Sequence, residues 1–470
     1  MSTQVLAHSQ PPVVTREMLS RLDVNGPRYT SYPTADRFVE AFGPDQYATA
    51  LSQRASAVGG AVMPLSVYVH IPFCESVCYY CACNKVITKH HERAAEYLDA
   101  LQREIDLHVS ALGRGQSLSQ LHFGGGSPTF LSDDELERVI GMLQSAFRFV
   151  PGGEYSIEID PRTIDPARLK RLAAMGFNRL SFGVQDFDPH VQQAVHRVQP
   201  YDQVAALMAA ARSEGFDSIN TDLIYGLPRQ TLASFRRTLE QVISLRPERV
   251  ALYAYAHLPQ RFKPQRRIDA ALLPAPTDKI GMLAMAIEVF REAGYEYIGM
   301  DHFALPTDSL AVAKRQGLLH RNFQGYSTHP DSDLIGLGVS AIGRIGAHYS
   351  QNVKTLEEYY DALSRSEFPI VRGLTLSHDD ILRRAVIMAI MCQGRVDFES
   401  IELAYLIDFK QYFSSELRQL EPLVELGLVQ MESDGVRVTP LGWYFVRGVA
   451  MVFDRHLQAD KTVERFSRII

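Results

Sequence analysis

From residue 65 onward, short runs rich in Val, Ile, Tyr and Phe alternate with stretches of helical period, and few folds accept that rhythm. The runs are Leu65–Phe73, Gln120–Gly124, Glu154–Asp160, Arg179–Val184, Ser218–Tyr225 and Arg249–Ala256. Between them lie helical stretches such as Asp133–Phe147, Pro166–Ala174 and Leu232–Leu245. The first carries Leu136, Val139, Ile140, Leu143 and Phe147 on one face and opens with a Ser132/Glu135 capping box. Strands alternating with helices specify parallel βα units. Six in succession predict an α/β fold, a partial (β/α)6 TIM-like barrel, with its site at the C-terminal ends of the strands. A further helix, Asp278–Ala293, and a strand, Tyr295–Met300, follow, and residues 301–350 read as loop-like.

The flanks differ in character. Residues 1–60 hold the turn-rich stretch Gly26 to Thr34 and a polar helix from Asp45 to Ala57. This extension lacks a core of its own and is expected to lie on something else. Past residue 350 the pattern gives helices at Asp379–Cys392, Phe398–Leu406 and Phe409–Leu426, then a hairpin turning at Ser433-Asp434-Gly435, the outline of a winged-helix-like module. The expected domains are therefore 1–60, 61–350 and 351–470, which suits a chain of 470 residues. At 46% hydrophobic residues there is ample material for a core, so disorder is excluded as the main state. No run approaches the ~18 apolar residues of a membrane span. A net charge of −6 argues against bulk nucleic-acid binding, and the N-terminus lacks a signal-peptide pattern, so a cytoplasmic protein is expected.

Four of the five cysteines, Cys74, Cys78, Cys81 and Cys83, fall within ten residues directly after the first strand, spaced C-x3-C-x2-C-x-C. Such clustering in a large chain points to a metal or redox site. A loop leaving one strand can wrap three thiolates around an iron–sulfur cubane and leave one iron open to an external chelator. The alternative is a structural zinc site, although zinc more often uses two Cys knuckles set apart. Cys392, alone in an apolar run, reads as a buried small hydrophobe.

C-x3-C-x2-C at this position resembles the radical S-adenosylmethionine (SAM) superfamily. The surrounding residues resemble more narrowly its oxygen-independent coproporphyrinogen III oxidase family. The likeness runs through Arg28-Tyr29-Thr30-Ser31-Tyr32-Pro33-Thr34, Tyr68 to Cys74, Gly124-Gly125-Gly126-Ser127-Pro128-Thr129, Gly183-Val184-Gln185-Asp186, Asp222 to Pro228, Tyr255 to Pro259, Gly299 to Phe303, His320 to Tyr326 and Gly336 to Ile342, nearly the whole chain. The resemblance implies one [4Fe–4S] cluster on Cys74, Cys78 and Cys81, and two SAM molecules. It gives Tyr68, Gly125, Glu158 and Ile342 to one SAM, and Tyr80, Gly126, Ser127, Gln185, Arg197, Asp222 and Ala256 to the other. Tyr80 and Ser127 depart from the Phe and Thr common there. Cys83 marks this branch without being a ligand, as a relay or a support of the loop.

Individual residues suit these roles. Glycines let backbone approach a ligand. Glu158 and Asp160 stand two apart on a strand and face one side. Arg197 suits a bidentate grip on a carboxylate. A tetracarboxylate substrate needs cations, for which Arg28, Arg261, Lys263, Arg266, Arg267 and Arg321 are candidates, with Arg28 and Tyr29 expected to close over the site. The implied reaction turns two propionates of coproporphyrinogen III into vinyl groups through 5′-deoxyadenosyl radicals. It gives protoporphyrinogen IX and draws electrons from a donor such as flavodoxin or ferredoxin. A monomer is expected, with no nucleic-acid or membrane partner. Two other readings stay open: a haem chaperone of the same superfamily, and a zinc-bearing regulator that uses the winged-helix-like tail.

Overall fold

The structure, a computed structural model, describes residues 14–22, 24–56 and 63–459. The expectations for the first thirteen residues, for Ala57 at the end of the first polar helix and for residues 460–470 lie outside them. Six parallel strands stand side by side in chain order: β1 (Leu65–Ile71), β2 (Gln116–Gly125), β3 (Phe147–Ile159), β4 (Arg179–Gln185), β5 (Ser218–Tyr225) and β6 (Arg249–Ala254). Alternation divides them into two faces. Val67, Val69, Leu121, Phe123, Ile157, Phe182, Ile219 and Leu252 are fully buried in the main core. The opposite face carries His122, Glu158, Ser181, Asp222 and Tyr253, which line cavities.

The connecting helices begin where local chemistry tells them to. Ser132 accepts from Glu135 N while Glu135 reaches back to Ser132 N, and Thr231 and Ser234 repeat that box. Asp165 caps Pro166–Ala174, with proline in the first turn. These helices match their predicted spans within a residue.

The sheet is larger than the rhythm implied, with 12 strands. Leu334–Leu337 pairs parallel with β1 on its free side, and Ile342–Ile345, His348–Asn352 and Ile370–Thr375 extend it antiparallel. Beyond β6 come His302–Ala304 and then Glu296–Gly299, both antiparallel. Residues 301–350 are thus strand-bearing rather than loop-like, and the sheet runs on to Thr375, past the expected boundary at 350. The C-terminal module packs helix His378–Gln393 against a three-stranded sheet of Arg395–Asp397, Val429–Met431 and Gly435–Val438. The single helix expected over Phe409–Leu426 is three short ones, interrupted at Phe413 and at Leu420, just before Pro422.

The N-terminal segment does lie on other elements. Tyr29 and Tyr32 are fully buried, and Val39 bridges to Gly373 on the sheet edge. Tyr29 donates to Asp454 Oδ2 (2.9 Å), and Arg447 Nε donates to the Pro27 carbonyl (2.7 Å). Among the described residues no helix is long and apolar enough to cross a membrane.

Candidate active site

Just past β1, Phe73–Cys74 pairs with Val86–Ile87, which closes the intervening residues into a loop at the strand's C-terminal end. The loop is pinned from several directions. Lys85 Nζ donates to the carbonyls of Cys81 (3.2 Å) and Cys83 (3.3 Å), and Gln265 donates to the Tyr80 carbonyl (3.0 Å). His70 Nε2 lies 2.9 Å from the Asn84 carbonyl. All four cysteines are free thiols. Cys78 is buried, Cys74 and Cys81 are half-buried and Cys83 is exposed. The glycine run at the end of β2 packs directly beneath. Gly126 N donates to the Ile71 carbonyl and Ser127 N to that of Phe73, both at 2.8 Å. A Cβ on Gly126 would stand 2.6 Å from the Pro72 oxygen, so only glycine fits.

One cavity of about 480 Å³ gathers most of the candidate residues. Cys74, Cys78, Cys81, Cys83 and Tyr80 come from the loop, and Gly125, Gly126 and Ser127 from β2 and its exit. Glu158, Gln185, Arg197 and Asp222 come from the next strands. Tyr68 stands behind this wall with its ring stacked on His122 (5.9 Å). Ala256 and Ile342 do not line the cavity. Ile342 packs with the Phe38–Tyr349–Leu376 cluster instead.

An ionic knot that the sequence reading passed over organises the floor. Arg197 Nη1 pairs with Asp160 Oδ2 (3.1 Å) and its Nη2 donates to the Gly183 carbonyl (2.6 Å). Arg162 Nη2 grips the same carboxylate (2.7 Å). Both guanidiniums also aim an N–H at Cys78 Sγ, at 3.4 Å from Arg162 and 3.5 Å from Arg197. Burial would push the Asp160 carboxyl up, but Arg197 and Arg162 together hold it at about 2. Asp160 also caps the turn Pro161–Thr163 at the strand end, through the Arg162 N–H. Burial, with Glu158 nearby, pushes the Asp222 carboxyl up to about 6, and Ser181 and Asn220 hydrogen-bond to it. The neighbouring Cys83 thiol, aided by Lys85, favours the thiolate of Cys81.

The basic run after β6 stays outside. The turn Lys263–Arg267 docks through buried Gln265, which accepts from Leu258 N (2.6 Å) and reaches Tyr80. Arg261, Lys263, Arg266 and Arg267 are therefore left exposed. Arg266 caps the Pro259 carbonyl and Arg267 lies over the Tyr79 ring. They behave as a solvated face rather than as cavity residues. Arg28 and Arg321 instead lie near Tyr253, at the border of a second cavity of about 180 Å³ that shares Glu158, Ser181, Asp222 and Tyr253 with the first. Among the described residues no three His, Cys, Asp or Glu side chains converge on a single metal position. A cubane, which takes one thiolate per iron, does not require that convergence.

Residues 68–242 match the Radical SAM superfamily model, and residues 376–445 match the HemN C-terminal domain. The oxygen-independent coproporphyrinogen III oxidase of Pseudomonas aeruginosa is 49% identical over 456 residues, covering 97% of this chain and 98% of that protein. The Escherichia coli enzyme of the same name is 46% identical over 453 residues, covering 96% and 98%. The solved structure of the Escherichia coli coproporphyrinogen III oxidase, described as a radical SAM enzyme, superposes with a TM-score of 0.88 over 92% of this chain and 98% of that one. Catalytic loop, sheet and C-terminal module are all included in these matches, and the chain belongs to the oxygen-independent coproporphyrinogen III oxidase family.

Proposed function

We propose that this protein converts coproporphyrinogen III to protoporphyrinogen IX, taking a hydrogen and a CO2 from each of two propionates to leave vinyl groups. The observation that carries this reading is a single cavity. It brings three free thiols of the C-x3-C-x2-C loop together with a glycine cradle and strand-borne carboxylates, in a chain alike over nearly its full length to enzymes of that name.

The donor set suits the cofactors of the superfamily. Soft sulfurs on one wall, with two guanidinium N–H groups aimed at Cys78, fit a [4Fe–4S] cluster held by Cys74, Cys78 and Cys81. When bound together, the cluster and SAM supply a one-electron cleavage that delivers a hydrogen-abstracting organic radical. The chain's own residues orient and enclose that chemistry. Arg197 has both Nη groups held by Asp160 and the Gly183 carbonyl, and its buried Nε, with no partner among the described residues, is the donor it keeps for a ligand carboxylate. Asp222 and Glu158 offer acceptors for hydroxyl or amino groups, and Gly125, Gly126 and Ser127 bring backbone close to a ligand. Tyr80 and Gln185 complete the wall. Tyr68 stacks behind it, while Ala256 and Ile342 act only from outside this cavity. Two SAM molecules, a one-electron donor such as flavodoxin or ferredoxin, and a monomeric working unit complete the reading. The exposed edge of the cysteine loop at Cys83 and Ile87 supports donor access.

The test is anaerobic reconstitution followed by dithionite, SAM and coproporphyrinogen III, with 5′-deoxyadenosine and porphyrinogen product measured together. Both form if the reading is right, and Cys74→Ser abolishes both. Deoxyadenosine without a divinyl product would point to another substrate. Neither product from iron-loaded protein would favour the haem-binding relatives.

A further inference from the structure

Four arginines line the two cavities, and each is neutralised. Arg162 and Arg197 pair with Asp160, Arg179 with Glu154 and Arg249 with Asp308. Two more stand at the border of the second cavity, and neither has an ion-pair partner among the described residues. The Arg28 guanidinium lies over the ring of Tyr253, 5.4 Å from its centroid, and that ring lines both cavities. Arg321, only 5% exposed, lies over the ring of Tyr326 (4.6 Å), which lines the second. Its Nε donates to the Arg28 carbonyl (3.3 Å), so the two are held as one unit.

Their spare hydrogen-bonding capacity consists of donors. Arg321 Nη1 and the amide nitrogen of Gln324 are buried with no hydrogen-bond partner among the described residues, and Gln324 is itself a wall of the second cavity. Arg447 lies behind them in the C-terminal module, and the buried Asp301 carboxylate feels the field of Arg28, Arg447 and Arg321. Burial, with Arg28 nearby, pushes Arg447 down to about 9, and Arg321 is pushed down as well. Two guanidiniums with no ion-pair partner among the described residues, beside unused N–H groups, suit an anion, because buried donors left unpaired cost free energy.

We propose that Arg28, Arg321 and the Gln324 amide form a carboxylate subsite that holds a propionate of the tetrapyrrole other than the one reacting. This rests on the activity proposed above. The choice of a non-reacting propionate follows from charge. Decarboxylation must draw electrons out of the carboxylate, and a guanidinium pair stabilises it as an anion and opposes that step. A spectator propionate gains binding from the same pair at no such cost. The N-terminal segment thereby acts in substrate recognition, and Arg447 acts behind it as a positioning residue through the Pro27 carbonyl.

The test uses the reconstituted holoenzyme. Arg28→Gln, at a half-exposed side chain, should raise KM for coproporphyrinogen III about 10- to 100-fold with kcat little changed, the pattern of lost uniform binding. Arg28→Lys should recover part of the loss. Weaker anchoring should also let the one-vinyl, three-propionate intermediate escape, so its share of product rises. Coproporphyrin III should bind the variant more weakly than wild type by fluorescence quenching, whereas its tetramethyl ester should not distinguish the two. Arg321→Gln should act in the same direction, and if it fails to fold, Arg28→Gln decides alone. An unchanged KM and product ratio in Arg28→Gln, in a preparation whose wild type turns over, overturns the subsite. A wild type that forms deoxyadenosine but leaves coproporphyrinogen III intact overturns the parent reading instead.

Discussion

Glu104 sits on the helix Arg93–Leu112 at 1% exposure, and its carboxylate accepts from Gly338 N (2.7 Å), Asn352 Nδ2 (2.7 Å) and Tyr359 Oη (2.6 Å). It ties that helix to the strand leaving Leu334–Leu337. Two turns earlier on the helix, Tyr97 Oη donates to the His70 carbonyl (2.6 Å), at the end of β1. Burial pushes the carboxyl from 4.5 up to about 7, against the pull of the three donors. An unfolded chain therefore releases this proton near its ordinary pKa while the native chain still holds it. The native state binds more protons in that window, so its stability falls as pH rises from 4.5 to about 7 and levels off above. A shift of that size is worth roughly 3 kcal/mol. Glu104→Gln cannot ionise and escapes this loss, but its NH2 replaces one acceptor oxygen and leaves a buried donor poorly met, at ~1–3 kcal/mol. The variant should thus be the less stable protein at about pH 5, and the gap should close or reverse by about pH 8, a relative change of roughly 3 kcal/mol. Urea unfolding followed by far-ultraviolet circular dichroism across that range reads it out. Parallel stability curves for the two proteins would refute the reasoning, because they would mean that Glu104 takes up no extra proton on folding.

Four further outcomes can be checked. Cys78→Ser should lose iron and the brown chromophore on reconstitution, whereas Cys83→Ser should keep the cluster, as iron and sulfide analysis would show. Gly126→Ala forces a Cβ to 2.6 Å from the Pro72 oxygen, so it should cost ~2 kcal/mol or more in unfolding and lower cluster incorporation. Asp160→Asn removes a carboxylate held at about 2 by its arginines, and should destabilise the chain by ~2 kcal/mol at neutral pH. That stabilisation exists above the ordinary carboxylate pKa of 3.8 and is lost as pH falls through about 2, so acid titration of the two proteins should bring their stabilities together. Tyr29→Phe deletes the hydrogen bond to Asp454 and should cost ~1–2 kcal/mol, seen as a lower urea midpoint.

What the sequence made legible follows from local physics. The six parallel strands announced themselves because both faces of a βα array must be filled, and the helices because Ser132, Asp165 and Thr231 stop the chain at their starts. The strands within 301–350 were invisible for the opposite reason. His302–Ala304, His320–Asn322 and Ile342–Ile345 are three or four residues long, rich in His, Arg, Asn or Gly, and exist because a neighbouring strand pairs with them. In the site, the cysteines and glycines stood out as motifs, whereas the Asp160–Arg162–Arg197 knot joins residues up to 37 apart in sequence. The one signal for it was Asp160-Pro161-Arg162 at the end of a strand. Among the candidate cations the residue type was shared, and only the fold could separate Arg28 and Arg321 from the solvated Arg261, Arg266 and Arg267.

The segment around Arg28 is held by residues made much later. Pro27 is bound by Arg447, Tyr29 by Asp454, Arg37 by the His456 carbonyl and Tyr32 by Arg455 N, partners some 420 positions downstream. During synthesis the βα array and its cysteine loop therefore emerge and can fold while these four latches are still missing and the segment has only contacts such as those to Tyr253, Arg321 and Gly373 to rest on. A ribosome that stops before residue 447 would release a chain with its thiols in place and its N-terminal segment without these latches. Full fastening of the segment around Arg28 thus waits on completion of translation.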